Sequence, residues 1–250
     1  MRRRDFIGLV VGAATWPLAV RAQQAEQMRR IGFLGTSSAT GWADKVDALR
    51  AGLRDVGYAE GKNIVIEFRW ADGQYERLPA LSAELVALNV DIIITQARGV
   101  LAAQRATKTI PIVMAALGDA VGQGAVQSLA HPGGNITGST FFYPELASKR
   151  VELLKEAFPQ IKRVAVVFIP TRGAVPAVGA VAAVEAMRST AASLGVELLE
   201  SPVRGPEEFE SAFAAMVGRG IDAVALNEDP ILLGNSKAIV TEQLSLSIKF

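Results

Sequence analysis

Asp119 stands in segment 115–122 (AALGDAVG), a carboxylate among alanine, leucine and glycine where a helix is expected to begin. A carboxylate there can accept a ligand ammonium, or cap the helix by accepting its free backbone N–H groups. The two roles are compatible. An acidic pair, Glu228 and Asp229, follows the strand-like run 222–226 (DAVAL) and carries the same two options. The only histidine, His131, lies in the turn sequence His131-Pro132-Gly133-Gly134, where its imidazole can reach the last carbonyls of a preceding helix. No serine or carboxylate flanks it in an activating pattern, and without cysteine it cannot complete a structural zinc site. Gly32 and Gly35 are not followed by GxGxxG, and Gly118, Gly122 and Gly124 lack the lysine of a phosphate loop. Trp42, Trp70, Phe141, Phe142 and Tyr143 can wall a ligand or fill a core. These residue types favour recognition over bond-making.

The elements that would position them alternate along the chain. Short β-branched runs separated by amphipathic stretches are the pattern of βαβ units around parallel sheets. Strands are expected at 30–34, 63–70, 90–95 (fully buried), 110–114, 135–140, 163–168, 196–199 and 222–226. Helices are expected at 42–56 (closed by Gly57), 78–88, 100–107, 122–129, 145–158, 176–194, 206–219 and from about 229 to 246. In open parallel sheets ligands bind beyond the carboxyl ends of strands, near the switch in strand order. The loops so placed are 35–41, 96–99, 115–122, 170–173 and 227–230. The candidate ligand contacts they and the adjoining strand ends supply are Thr36, Ser37, Gln96, Ala97, Gly118, Asp119, Thr140, Phe141, Thr171, Asn227 and Asp229.

The amino terminus reads as an address. Arg2, Arg3 and Arg4 precede an apolar run from Phe6 to Leu18, and Val20-Arg21-Ala22 is a small-residue cleavage pattern. Arg3-Arg4-Asp5-Phe6 also suits the twin-arginine export route. The run is shorter than the ~20 apolar residues a bilayer span needs. Residues 1–22 carry a net charge of +3, so a chain of +1 overall becomes −2 once they are removed. No basic surface is left to argue for nucleic acid. The chain has no cysteine, which excludes disulfides, thiolate metal sites and a lipid-anchored cysteine.

Several long stretches carry a resemblance. RRIGFLG, LRAGLRDVGYAEGKNIVIEFRW, TKTIPIVMAALGDAVGQGAVQSLAHPGGNITGSTFF and KRVELLKEAFPQIKRVAVVF are similar to the ABC-transporter substrate-binding proteins, the group that includes tryptophan- and tyrosine-type binding proteins. The resemblance implies an α/β, type I periplasmic-binding fold of two doubly wound parallel-sheet lobes with a hinge. It also implies a periplasmic location, a small-molecule ligand such as an amino acid or aromatic compound, and delivery to an ABC permease in the inner membrane. A monomer without cofactor or metal is expected. Gly118-Asp119-Ala120 stands where the family commonly has Ser/Thr-Asp-Pro, and Thr140-Phe141-Phe142 stands where amino-acid binders carry an acidic position. Phe168-Ile169-Pro170-Thr171 lacks an asparagine often found there.

The expected division is an export signal at 1–22, an amino-terminal lobe at 29–140 and a carboxyl-terminal lobe at 141–250. The second lobe is expected to be partial, since the family continues beyond the helix that starts at Asp229-Pro230. Two alternatives compete with the transport reading. One is an exported α/β hydrolase-like enzyme, although no GxSxG elbow is present. The other is a truncated remnant of a binding protein that no longer functions.

Overall fold

The computed structural model describes residues 28–141, 143–170 and 178–245. The export signal with Arg3, Arg4, Phe6 and Ala22, and the positions Phe142 and Thr171, lie outside the described residues. No described helix is long and apolar enough to cross a membrane.

Two parallel sheets are built in chain order. The first is β1 (Arg29–Gly35), β2 (Ile64–Trp70), β3 (Ile92–Gln96), β4 (Ile112–Gly118) and β5 (Ile136–Phe141), in the order β2-β1-β3-β4-β5. Its helices are α1 (Ala43–Asp55), α2 (Leu78–Ala87) and α3 (Arg98–Ala106). The second is β6 (Arg163–Phe168), β7 (Glu197–Pro202) and β8 (Ala223–Leu226), in the order β7-β6-β8. It carries α4 (Tyr143–Ala157), α5 (Val178–Ser193), α6 (Phe209–Gly218), α7 (Pro230–Gly234) and α8 (Ser236–Ser245). This is the α/β class the alternation predicts, and every strand pair is parallel.

The order also fixes where a site can lie. In the first sheet the direction of winding reverses between β1 and β3; in the second it reverses between β6 and β8. The connections leaving the two neighbouring strands part at those points toward opposite faces, which opens a crevice at the carboxyl ends.

Burial shows the division of faces. One cluster joins Leu34, Ile93, Leu101 and Ile112 of the first sheet region with Val167, Ile169, Phe213, Ile231 and Leu232 of the second. A separate cluster under α1 holds Ile31, Phe33, Ile64 and Ile66, with Phe68 and Trp70 packed on it. Phe33 lies 5.5 Å from Phe68 and 5.2 Å from Trp70 between ring centroids, so Trp70 is committed to this packing.

Several local expectations are corrected. Residues 122–129 form turns, not a helix: Gly124 takes φ +72, and the bonds from Ala125 and Val126 both return to the Ala120 carbonyl. β3 is not buried on both faces, because Ile92 and Ile94 lie half-buried under α1 while Ile93 and Thr95 face the inner core. β4 runs on to Gly118, so residues 115–118 belong to a strand and not to the expected loop. The last helix is two, broken at Asn235, whose Nδ2 donates to the Ile231 carbonyl and ends α7. Gly57, by contrast, takes φ +88 just beyond α1, as a helix-ending glycine should.

Gly138 in β5 has φ +135, and a Cβ there would overlap the Met114 carbonyl oxygen of β4. The nearest atoms are the Met114 carbonyl itself, which cannot swing aside as the end of a flexible side chain would. Gly138→Ala should therefore destabilise the fold by about 2–4 kcal/mol. Thermal unfolding of the variant should show a midpoint lowered by roughly 5–10 °C.

Candidate functional site

The carboxyl ends of the two sheets border a cavity of about 130 Å³, the order of size that takes up one benzene ring. From the first sheet it receives Gln96, Ala97 and Arg98 after β3, Ala116, Leu117 and Gly118 at the end of β4, and Phe141 at the end of β5. From the second it receives Gly179 and Ala180 of α5, with Glu228, Asp229, Pro230 and Leu233 beyond β8. Trp42, just before α1, and Gln123 complete the wall.

Three buried polar side chains bridge the two sheets beside it. Asp229 precedes α7 and caps it, Oδ1 accepting from the Ile231 N–H at 2.9 Å. The same oxygen accepts from the Tyr75 hydroxyl at 2.5 Å, although Tyr75 belongs to the short 3-10 turn Tyr75–Arg77 after β2. Arg98 lies at the start of α3, its guanidinium 4.3 Å from the Tyr75 ring centre. Arg98 Nη2 donates to the Ile169 carbonyl at 2.8 Å and Nη1 to the Pro170 carbonyl at 3.2 Å, both just beyond β6. Its distance to Asp229 Oδ2 is 3.8 Å. The carbonyls are thus the closer partners, and the carboxylate adds charge balance more than a direct hydrogen bond. All three side chains are buried.

Burial shapes their titration. Loss of hydration is the main influence on Asp229 and pushes its carboxyl up, against the opposing pull of the Tyr75 hydroxyl, the Arg98 charge and the Ile231 N–H. Tyr75 is raised well above the ordinary tyrosine value, first by burial and then by the Asp229 charge and the hydrogen bond to it.

The backbone is bent at the same strand ends. Ala97 takes φ +46 and ψ −128, and Asp119 takes φ +49, conformations that non-glycine residues rarely adopt. The register of β3 on β4 slips between Thr95 and Gln96, and that of β4 on β5 slips between Met114 and Leu117. Such irregularities turn a strand end aside and re-aim its side chains.

Of the sequence candidates, Gln96, Ala97, Gly118, Phe141 and Asp229 line the cavity. Thr36 and Ser37 are buried behind it, Thr36 Oγ1 accepting from Gln96 Nε2 at 3.2 Å. Thr140 Oγ1 donates to the Leu117 carbonyl at 2.7 Å and accepts from the Ala120 N–H at 3.0 Å, holding β4 and β5 together. Asn227 is buried and donates to the Ala180 carbonyl at 3.2 Å. The Asp119 carboxylate accepts from the Gly122 N–H at 2.9 Å within its own turn and is not among the cavity-lining residues. Glu228 lines the cavity and pairs with Arg150 of α4. His131 is exposed in its turn, where its backbone is tied to Ser128. Among the described residues no group of three or more His, Cys, Asp or Glu could hold a metal ion.

Arg98 and Tyr75 were not singled out from the sequence. A signal existed for the first: Arg98-Gly99 interrupts an apolar stretch at a strand-to-helix junction, where a charge must either face solvent or find a partner. Tyr75 gives no such sign, because its partner is 154 positions away.

Two parallel α/β units thus border a small, mainly apolar cavity with a few polar groups at its wall. A family model described as ABC transporter substrate binding protein matches residues 33–247, and the chain belongs to that family. It is 29% identical over 184 residues to the tyrosine-binding protein of Clostridioides difficile (strain R20291), an overlap of 73% of this chain and 51% of that protein. The chain thus spans about half the length of that curated relative. Among solved structures, a conserved domain protein of Vibrio cholerae is 27% identical with a TM-score of 0.76, covering 89% of this chain and 73% of the other. The ABC domain from Streptococcus pneumonia, solved in complex with L-Trp, is 25% identical with a TM-score of 0.73, covering 89% and 72%. A solute-binding protein of Rhodopseudomonas palustris, in complex with 3,4-dihydroxybenzoic acid, shares the fold at 15% identity and a TM-score of 0.62, covering 89% and 59%.

A raised tyrosine makes a sign-specific prediction. Above pH about 10 the unfolded chain releases the Tyr75 proton while the folded chain keeps it. The folded state then binds more protons, and stability falls as pH rises. Tyr75→Phe should lower stability at pH 8 by about 1–3 kcal/mol through the lost hydrogen bond. It should also flatten the alkaline fall, which denaturant titrations of both proteins at pH 8 and pH 10.5 would measure.

Proposed function

We propose that this chain is the solute-binding component of an ABC uptake transporter, exported to the periplasm by the signal at 1–22. In this reading residues 29–140 and 141–250 act as two lobes that close on a small molecule and present it to an inner-membrane permease. The observation that carries it is the cavity between the carboxyl ends of the two sheets, bordered by buried groups that already cross from one sheet to the other. Trp42, Leu117, Phe141 and Leu233 give that cavity apolar walls, which suits an aromatic compound or the side chain of an amino acid. Relatives that bind tyrosine and tryptophan support the same ligand classes. Binding here requires no bond to form or break.

Gln96, Ala97, Gly118, Phe141 and Asp229 are the proposed ligand contacts, with Thr36, Ser37, Thr140 and Asn227 holding the walls behind them. Asp119 belongs to the same proposal through the turn that places Gly118 and Gln123 at the wall, and Thr171, outside the described residues, is kept as a proposed contact. L-tyrosine, L-tryptophan, benzoate and 3,4-dihydroxybenzoate, each added to the purified chain, provide the test. A ligand at a hundred times its Kd stabilises the native state by about 2.7 kcal/mol. At least one of the four should raise the midpoint by roughly 5 °C or more. A flat result with all four overturns this choice of ligand classes.

Closure makes a second prediction. Arg98 holds carbonyls beyond β6 from its place on α3, so its loss should favour the open form. Arg98→Met, which keeps length and apolar contact but removes the donors, should raise the radius of gyration of the ligand-free chain in small-angle scattering. An unchanged value would remove Arg98 from the closure mechanism.

A further inference from the structure

Gln96 ends β3 at the wall of the cavity and is almost wholly buried. Its Nε2 donates to Thr36 Oγ1 at 3.2 Å, which occupies the nitrogen side of the amide. Its Oε1 is buried and has no hydrogen-bond partner, the one such side-chain atom among the described residues. The neighbouring buried groups are all engaged. Thr95 Oγ1 donates to the Leu34 carbonyl, Arg98 donates to two carbonyls, and Asp229 accepts from Tyr75 and Ile231. A buried carbonyl oxygen left unpaired is strongly unfavourable, so each such group in a native structure calls for a reason.

The backbone around it is specialised for the same spot. The register slip lies between Thr95 and Gln96, and the strained Ala97 follows directly. Gly99 is confined as well, since a Cβ there would overlap Thr95 Oγ1. Strain persists where the surrounding structure over-determines it, and it gathers at sites that hold ligands. Across the cavity stand Trp42, Leu117, Phe141, Pro230 and Leu233, which offer contact area without hydrogen-bonding side chains apart from the Trp42 indole. That indole N–H already points at the Pro230 carbonyl, 3.5 Å away.

We infer that Gln96 Oε1 is the specificity-determining acceptor of the cavity. The site takes a compact molecule with a flat apolar body that presents one N–H or O–H donor to that oxygen. This rests on the cavity being the ligand site. A site built to hydrogen-bond a ligand group rejects the analogue that lacks it far more strongly than an apolar pocket rejects a change in size, because a buried polar atom is then left unpaired. The charged lining groups Arg98, Asp229 and Glu228 already have protein partners, so selection falls to the neutral amide.

Matched probes that differ only in the donor provide the test. Phenol and indole are titrated calorimetrically into the full chain beside anisole and 1-methylindole, with L-tyrosine and L-tryptophan as larger members. The expected result is that at least one donor-bearing probe binds, and that its methylated counterpart binds about tenfold more weakly or worse. Gln96→Met, close in volume but without the carbonyl, should bring the two members of the pair to within about threefold. Because the probe pair is compared in the unaltered protein, the main result does not depend on the variant folding. Equal binding of both members to the unaltered chain overturns the acceptor role and leaves the cavity as a binding site. A tenfold gap that survives unchanged in Gln96→Met also overturns it, and assigns the donor contact elsewhere. Absence of binding by every probe overturns the cavity itself as a site for these ligands, and the acceptor role falls with it.

Discussion

The buried contact of Tyr75, Arg98 and Asp229 is the constraint on which the relation of the two sheets depends. Each comes from a different strand end, after β2, β3 and β8, and Arg98 reaches the carbonyls beyond β6 as well. Taking a guanidinium and a carboxyl out of water costs several kcal/mol per ion unless their hydrogen-bonding capacity is met. Here it is met only when the two sheets are close, because the Arg98 acceptors and Asp229 belong to the second sheet while Arg98 and Tyr75 belong to the first. The polar groups therefore specify one relative placement, where apolar packing alone would tolerate sliding. The cavity exists in the gap that this placement leaves.

Strand-end irregularity does the finer work. The register slips in β3 and β4 and the positive φ values of Ala97 and Asp119 all fall at carboxyl ends, on the side of the molecule that faces the second sheet. Regular parallel strands would carry their side chains alternately to the two faces. The slips break that alternation, so that Gln96 and Ala97 both border the cavity. Asp119 has a share in this through its turn: its carboxylate holds the Gly122 N–H, and the Gln123 side chain bonds to the Gly118 carbonyl. That conformation keeps Gly118 and Gln123 at the cavity wall.

The second sheet places its own demand on Arg150. β8 is the outermost described strand of the second sheet, and a cavity of about 540 Å³ runs along it between α4 and α7. Arg150 Nη1 donates to the Leu226 carbonyl of β8 at 3.3 Å, and its other nitrogen pairs with Glu228. A charged side chain laid on an edge occupies a carbonyl that would otherwise invite another strand. It also fixes Glu228, which lines both this cavity and the one between the sheets, so the two share one ion pair.

The sequence alone determined the α/β class, the eight strands of the described residues and most of their helices. Hydrophobic period and glycine or proline punctuation are local properties, and a buried parallel sheet imposes them on every unit. It also pointed to the carboxyl ends of the strands, because a parallel sheet has its crevice on one side only, but it ended β4 too early, at 114 instead of Gly118. It misjudged residues 122–129 and the break at Asn235, where glycine and asparagine chemistry outweighed the apolar period. Which side chains meet at the site was a matter for tertiary structure. Asp119 looked like the chief contact from its isolation in an apolar loop, yet its carboxylate satisfies its own turn. Arg98 and Tyr75 matter because of partners 71 and 154 positions away, and the free oxygen of Gln96 is visible only once every neighbour has been paired. Periodicity records which face of an element is buried; only the packed chain records what each buried polar group finds there.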